Sequence, residues 1–520
     1  MQKGRFIKNA AIMTLTALML RTIGMFFRVW LSGQIGSQGM GLYQLIFSVY
    51  MLAATFATSG ITTAVTRLIA EELELGTAAS VKRILKRSIT LALIIGVASA
   101  VLVYVFSDVI AAHWIKDIRA ARSLRILSLS LPFMGISSCI KGYFYANRRA
   151  TTPSAAQVFE QLIRIAVVFL IIDSCAQKGL EYACAAVLIA DTIAEAASCL
   201  FVYAGYVRDK RKLSSKIGAR AAPPYSVVRR LVAISAPIAG GRYLTTLLRT
   251  VESLLVPGCL AVSLGTRNEA LSVYGAFRGM AMPVMFFLSA FLTAISTLLV
   301  PELSSALSTG NKLGISSSVK RTIHITMSVS MLVGGAFFAF GEDIGKAVYG
   351  TNEVGYFIVA LAPLIPLMYM ESVVTGVLNG LDQQTHIFAY NVVDSVLRII
   401  LIYVFVPRYG VSGFIGVTVF SNLLTPLLCL NRVLKVSNTK LSFVDWVLRP
   451  LLCTAAAITV AIAASRYMTG LSLIAKTVSE ITICAAIYVL MLYATGGMTQ
   501  TRDLVVDFRK NKLKNKFSVI

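Results

Sequence analysis

Thr63-Ala64-Val65-Thr66-Arg67-Leu68-Ile69-Ala70-Glu71-Glu72-Leu73 returns as Thr293-Ala294-Ile295-Ser296-Thr297-Leu298-Leu299-Val300-Pro301-Glu302-Leu303, with Glu72 falling on Glu302 at an offset of 230. The likeness extends in both directions. Before it, Leu20-Arg21-Thr22 matches Leu248-Arg249-Thr250 at an offset of 228. After it, Pro132, Gly142, Glu160, Arg164 and Ile165 correspond to Pro366, Gly376, Asp394, Arg398 and Ile399, all at 234 without a gap. A register held over that distance marks a duplicated architecture.

Both copies are apolar. The chain is 57% hydrophobic and 14% charged over 520 residues, with a mean hydropathy of +0.75, more apolar surface than a soluble fold can hide. The apolar residues fall in fourteen blocks, at 7–31, 42–66, 87–108, 124–145, 155–174, 181–206, 231–256, 271–300, 321–341, 355–379, 387–406, 411–431, 444–465 and 471–494. Each is long enough to cross about 30 Å of hydrocarbon as a helix of about 20 residues. Arg21 and Arg28 interrupt the first block and no cleavage site follows it, so it reads as a retained helix rather than a signal peptide. The expected fold is therefore an all-α polytopic membrane protein of 14 transmembrane helices. Two parallel six-helix repeats are followed by a C-terminal helix pair. The expected divisions are an N-terminal lobe at 1–207, a basic linker at 208–230, a second lobe at 231–434, helices thirteen and fourteen at 435–500, and a basic tail at 501–520.

The net charge of +25 is a matter of distribution. With the N-terminus inside, roughly 29 Lys and Arg fall in cytoplasmic segments against about seven outside, the asymmetry of the positive-inside rule. The expected location is thus a bacterial cytoplasmic membrane with both termini cytoplasmic, and nucleic acid is not needed to explain the basicity. The tail, with Arg509, Lys510, Lys512, Lys514 and Lys516, suits anionic headgroups. Eight cysteines and three histidines show no metal-ligand spacing, so neither a metal nor another cofactor is expected. Gly36, Gly39 and Gly41 lack the strand and lysine of a phosphate loop and read as an external turn.

The charges inside the apolar blocks carry the chemistry. Arg21 and Arg28 lie seven apart on span one and Arg242 and Arg249 repeat that spacing on span seven, so each pair shares a helix face. Arg67 and Arg278 stand on spans two and eight. Facing lipid, six arginines would cost roughly 15–20 kcal/mol, more than the net stability of a typical domain. They must meet water, carboxylates or an anionic ligand, and a guanidinium fork suits a diphosphate. Arg249 also has Glu252 at i+3, and Arg67 can snorkel to headgroups. Glu160/Arg164 and Asp394/Arg398 are spaced to neutralise themselves within their helices. Asp191 and Glu195, like charges four apart on span six, mark either a proton or cation site or a polar contact.

Arg21 to Arg28, continuing through Ile35-Gly36-Ser37-Gln38-Gly39-Met40-Gly41-Leu42-Tyr43-Gln44, resembles the opening signature of the stage V sporulation protein B family. So do Lys141-Gly142-Tyr143-Phe144, Pro153, Gln157-Val158-Phe159-Glu160-Gln161 and Arg164-Ile165. That family is a polysaccharide-transporter branch of the multidrug/oligosaccharidyl-lipid/polysaccharide (MOP) superfamily, similar to MurJ-type lipid II flippases. The resemblance implies alternating access and an undecaprenyl-diphosphate-linked oligosaccharide as substrate, in peptidoglycan or spore cortex synthesis. It also implies cavity-lining arginines on helices one, two and eight, where Arg21, Arg67 and Arg278 fit, while Arg28 falls one residue late. A monovalent cation between helices seven, eleven and twelve is implied too, with Glu252, Asn391, Asp394 and Asn422 as oxygen donors. Membrane lipids and cell-wall synthesis proteins are the other partners in this reading. Two rivals stand beside it: a cation-coupled multidrug exporter, whose cavity should be acidic, and a non-transporting scaffold of a cell-wall complex. No segment gathers a nucleophile, a base and oxyanion donors, so an enzyme is not expected.

Overall fold

The structure is a computed structural model and describes residues 2–74, 78–213, 226–440, 442–468 and 470–496. The expected linker is thus described only at its ends, and the tail at 501–520 lies outside the described residues. Every regular element among the described residues is helical, as hydrocarbon demands, since a spanning backbone must satisfy its own N–H and C=O groups. The helices are α1 (Gln2–Thr58), α2 (Ile61–Glu74), α3 (Ala78–Val105), the short α4 (Ser107–Val109), α5 (Ala120–Ser128), α6 (Leu131–Ala146), α7 (Thr151–Ala176), α8 (Leu180–Leu213) and α9 (Val227–Leu264). They continue as α10 (Arg267–Tyr274), α11 (Met282–Phe287), α12 (Ser289–Ser308), α13 (Lys312–Tyr349), α14 (Asn352–Leu361), α15 (Ile365–Gly380), α16 (Gln384–Ser437), α17 (Arg449–Ser465) and α18 (Leu473–Ala494).

Thirteen helical runs among the described residues are long and apolar enough to span a membrane, so the expected fourteen are not reproduced one for one. Spans one and two share the run Ile12–Glu74, and spans eleven and twelve share Gln384–Ser437. Each shared run bends at a glycine, Gly36 (φ 67°) or Gly410 (φ 56°), in left-handed backbone that a Cβ disfavours. The glycine turn expected at 36–41 is therefore a kink at Gly36 with helix resuming after it. Span eight falls into two runs, Arg267–Phe287 and Ser289–Ser308. A widened turn over Gly275–Ala281 precedes Pro283, whose ring lacks an N–H for the helical ladder.

Packing groups the chain into two compact units, Met1–Gly279 with Ser395–Val411, and Met280–Asp394 with Ser412–Ile520. The first therefore holds α9 and α10 together with the helices of the first copy. Its core sets Ile61, Val65, Leu68 and Ile69 of α2 against Ile84, Ile140 and Tyr143. The second centres on Val319, Ile323, Val374, Leu378 and Trp446.

One crossing recurs inside each unit. In the first, Thr66 Oγ1 donates to the Gly142 carbonyl (3.2 Å), and a Cβ on Gly142 would stand 3.0 Å from the Thr62 carbonyl oxygen. In the second, Ser296 Oγ donates to the Val373 carbonyl (2.8 Å), and a Cβ on Gly376 would come within 2.0 Å of that hydroxyl. The two glycines recur in the duplication because backbones approach there as small residues allow.

Candidate functional site

All six arginines singled out by the sequence lie in the first unit. Arg21 and Arg28 of α1 and Arg242 and Arg249 of α9 are exposed, and Arg278, in the widened turn after α10, is half-buried. None of these five forms an ion pair among the described residues. The anticipated partner of Arg249 is engaged elsewhere: Glu252 accepts from Arg398 Nη1 at 3.1 Å. Beyond the Gly36 bend, helix α1 runs against α9, with Thr250 Oγ1 donating to the Ser48 carbonyl (3.1 Å) and Thr55 facing Thr246 (3.4 Å).

Arg67 differs from the others. Its Nε lies 3.1 Å from Glu71, and Arg230 of α9 donates to the other Glu71 oxygen at 2.5 Å. Nearby, the left-handed Gly60 (φ 74°) abuts α9, where a Cβ would stand 2.5 Å from the Ser235 carbonyl oxygen. Glu71 and Gly60 therefore tie α2 to the start of α9. Sequence reasoning did not find the Glu71–Arg230 pair, because its members are 159 residues apart with no shared periodicity.

The opposite end of α9 has its own fastening. Arg267 donates to the Ile115 carbonyl, Asp117 holds Arg119 through two nitrogens, and Gln38 donates to Asn268 at 2.7 Å. The hydrogen bond to Asp117 raises the pKa of Arg119, so this latch keeps its charge at any working pH. Two glycines admit the crossing beneath it, for a Cβ on Gly41 would stand 2.1 Å from the Leu271 carbonyl oxygen and one on Gly275 would stand 1.9 Å from that of Ser37.

The acidic candidates separate. Asp191, 5% exposed, pairs with Arg164, which also reaches Glu160 at 3.1 Å, so the Asp191–Glu195 repulsion is relieved by a cation from α7. Glu195 is half-buried and forms no ion pair among the described residues. Of the four oxygen donors considered for a cation, Glu252 lies in the first unit and the other three in the second. There Asp394 accepts from Ser421 Oγ at 2.7 Å, while Asn391 and Asn422 turn their amide nitrogens to carbonyls of their own helix. Among the described residues no three His, Cys, Asp or Glu side chains gather as metal ligands.

A family model described as polysaccharide biosynthesis protein matches residues 6–307, more than half the chain. Stage V sporulation protein B of Bacillus subtilis (strain 168) is 26% identical over 455 residues, covering 86% of this chain and 87% of that protein. The lipid II flippase MurJ of the same organism is 20% identical over 433 residues, 76% of each. Among solved structures, a lipid II flippase MurJ in an inward closed conformation aligns with 96% of this chain and 100% of its own, at 15% identity and a TM-score of 0.67. An inward-facing MATE family multidrug resistance transporter of the MOP superfamily covers 83% of this chain and 100% of its own, at 15% identity and a TM-score of 0.62. At these identities the structural likeness is one of fold.

Proposed function

The chain belongs to the polysaccharide biosynthesis protein family, within the MOP superfamily, and from that premise we propose that it is a flippase exporting a lipid-linked oligosaccharide across the cytoplasmic membrane. The cargo in this reading is an undecaprenyl-diphosphate sugar used for cell wall or spore cortex. The observation that carries it is the set of five arginines on apolar helices of one unit, Arg21, Arg28, Arg242, Arg249 and Arg278, without a carboxylate partner among the described residues. A guanidinium left unpaired at membrane depth is stable only against water or an anion, and a diphosphate supplies several acceptor oxygens at once.

In this mechanism the two repeats rock about the bound headgroup while the polyprenyl tail stays in lipid. Arg67 contributes when Glu71 releases it. An inside-negative potential favours outward movement of the anionic cargo by about 2.3 kcal/mol per charge per 100 mV, so no nucleotide is required. Both termini are cytoplasmic in this reading, and Asp191, Glu195 and the Glu252–Asn391–Asp394–Asn422 group are secondary candidates for ion coupling.

The test is translocation of a fluorescent polyprenyl-diphosphate sugar by the purified chain in vesicles. Replacing both Arg21 and Arg278 with Ala should reduce the rate at least about a hundredfold, two charge-assisted contacts being worth about 3 kcal/mol or more. Wild-type rates in that variant would overturn the proposal. Transport of cationic drugs in place of lipid-linked sugars would favour a multidrug exporter, and movement of neither would favour a scaffold.

A further inference from the structure

We infer that a groove on the first unit, remote from the Glu71 latch, is a binding site for an anionic phospholipid of the surrounding bilayer. The groove encloses about 850 Å³ between Leu52 of α1, the Leu247 to Val262 stretch of α9, the Tyr403 to Arg408 stretch of α16, and the Trp114 to Lys116 segment. All of these belong to one compact unit. Its walls are largely aliphatic, with Leu52, Val251, Leu254, Leu255 and Val262 offering no polar side-chain atom. Nothing in such a wall competes with a hydrocarbon tail.

Two cations stand in the same groove, Lys116 and Arg408, both exposed and neither in an ion pair among the described residues. Trp114 and Tyr403, 52% and 70% exposed, share it with them, and such amphipathic rings settle at headgroup depth. Lys116 is anchored. It holds a left-handed backbone (φ 57°) between the Ile115 carbonyl, which accepts from Arg267, and Asp117, which is occupied by Arg119. The one nearby carboxylate in sequence is therefore spent, and the ammonium is left for an outside anion.

Aliphatic walls with two exposed cations in the same groove match a phospholipid whose headgroup has net negative charge, and a zwitterionic headgroup would bring its own cation against Lys116 and Arg408. The volume lies in the range of an ordinary small-ligand site, about 300–1,000 Å³. At hydrocarbon density it takes most of two acyl chains and falls short of a long polyprenyl tail. Because Lys116 sits between two members of the latch on Arg267 and Asn268, an occupied groove also steadies that end of α10.

The full chain, reconstituted in vesicles of phosphatidylethanolamine and phosphatidylglycerol in equal parts with a trace of polyprenyl phosphate, is released into native mass spectrometry. Wild-type protein should retain phosphatidylglycerol in preference to phosphatidylethanolamine. Lys116→Gln with Arg408→Gln should cut that preference about twenty-fivefold, the product of about fivefold for each cation. Each single substitution should cost about fivefold and carries the same test if the double variant does not fold. Gly258→Phe should abolish retention of both phospholipids, since a Cβ there meets nothing within 4 Å and the ring enters the groove on unstrained helix. Arg466→Gln, an exposed cation outside the groove, should change nothing. An undiminished preference in folded Lys116 and Arg408 variants, full retention in Gly258→Phe, or displacement of phospholipid by polyprenyl phosphate would each overturn the inference. Transport is not read in this experiment, so its outcome is independent of the flippase proposal.

Discussion

Arg164 and Arg398 hold the same position in the two copies, 234 residues apart, and close different ion pairs. Arg164 is held locally and by α8, with Glu160 at 3.1 Å, Gln161 at 2.9 Å and Asp191 as partners. Arg398 reaches Glu252 of α9, 146 residues away. The sequence explains the exchange. Carried through the same offsets, Asp191 falls on Thr425, which cannot neutralise a guanidinium, while Glu252 falls on Gly24, which carries no side chain. One copy keeps its carboxylate on the sixth helix and the other on the helix equivalent to the first. Duplication preserved the cation, and the acid moved.

The largest effect expected from breaking this pattern is at Asp191. Asp191→Ala leaves a three-quarters-buried Arg164 with Glu160 as its one remaining ion-pair partner among the described residues, and should destabilise the chain by about 3–5 kcal/mol, read as a shift in chemical unfolding midpoint in detergent. Glu252→Gln should cost less, about 1.5–3 kcal/mol, because the amide oxygen still accepts from Arg398. A larger loss at Glu252 than at Asp191 would reverse the ranking.

The comparison is sharpened by building the second copy's arrangement into the first. Gly24→Glu in the Asp191→Ala background places a carboxylate where a Cβ meets nothing within 4 Å, and should recover about 1–2 kcal/mol as a coupling term in a double-mutant cycle. No recovery would show that the two arginines sit in inequivalent surroundings. The smallest effect belongs to Glu71→Gln. Its pairs with Arg67 and Arg230 are partly exposed, with Arg67 at 66% and Arg230 at 42%, so stability should fall by under about 1 kcal/mol and the loss should shrink as salt rises.

Much of the fold was legible in the sequence because a bilayer leaves few alternatives: long apolar blocks become helices, and the duplication at 228 to 234 residues announces a repeated bundle. The breaks within helices were less legible. The block at 271–300 is apolar but for Arg278, yet the Gly275–Ala281 turn and Pro283 divide it. The bends at Gly36 and Gly410 likewise depend on a φ that composition alone does not report.

At the candidate site, arginines inside apolar blocks stood out at once because charge there is costly. Their partners did not. An i, i+3 rule pointed Arg249 to Glu252, and packing gave that carboxylate to Arg398; an i, i+4 reading paired Asp191 with Glu195 in repulsion, and α7 supplied Arg164 as the partner of Asp191. Helical spacing reports only neighbours on one helix.

By itself, then, the sequence determined that this is a duplicated, all-helical membrane protein with more cations in its apolar spans than lipid tolerates, because hydrophobicity, period and charge are properties of residues in order. Only the tertiary structure decided which distant carboxylates meet Arg164 and Arg398, which pair holds Arg67, and that Arg21, Arg28, Arg242, Arg249 and Arg278 form no ion pair among the described residues. An ion pair needs a distance of a few ångströms between side chains, and packing brings together helices more than a hundred residues apart.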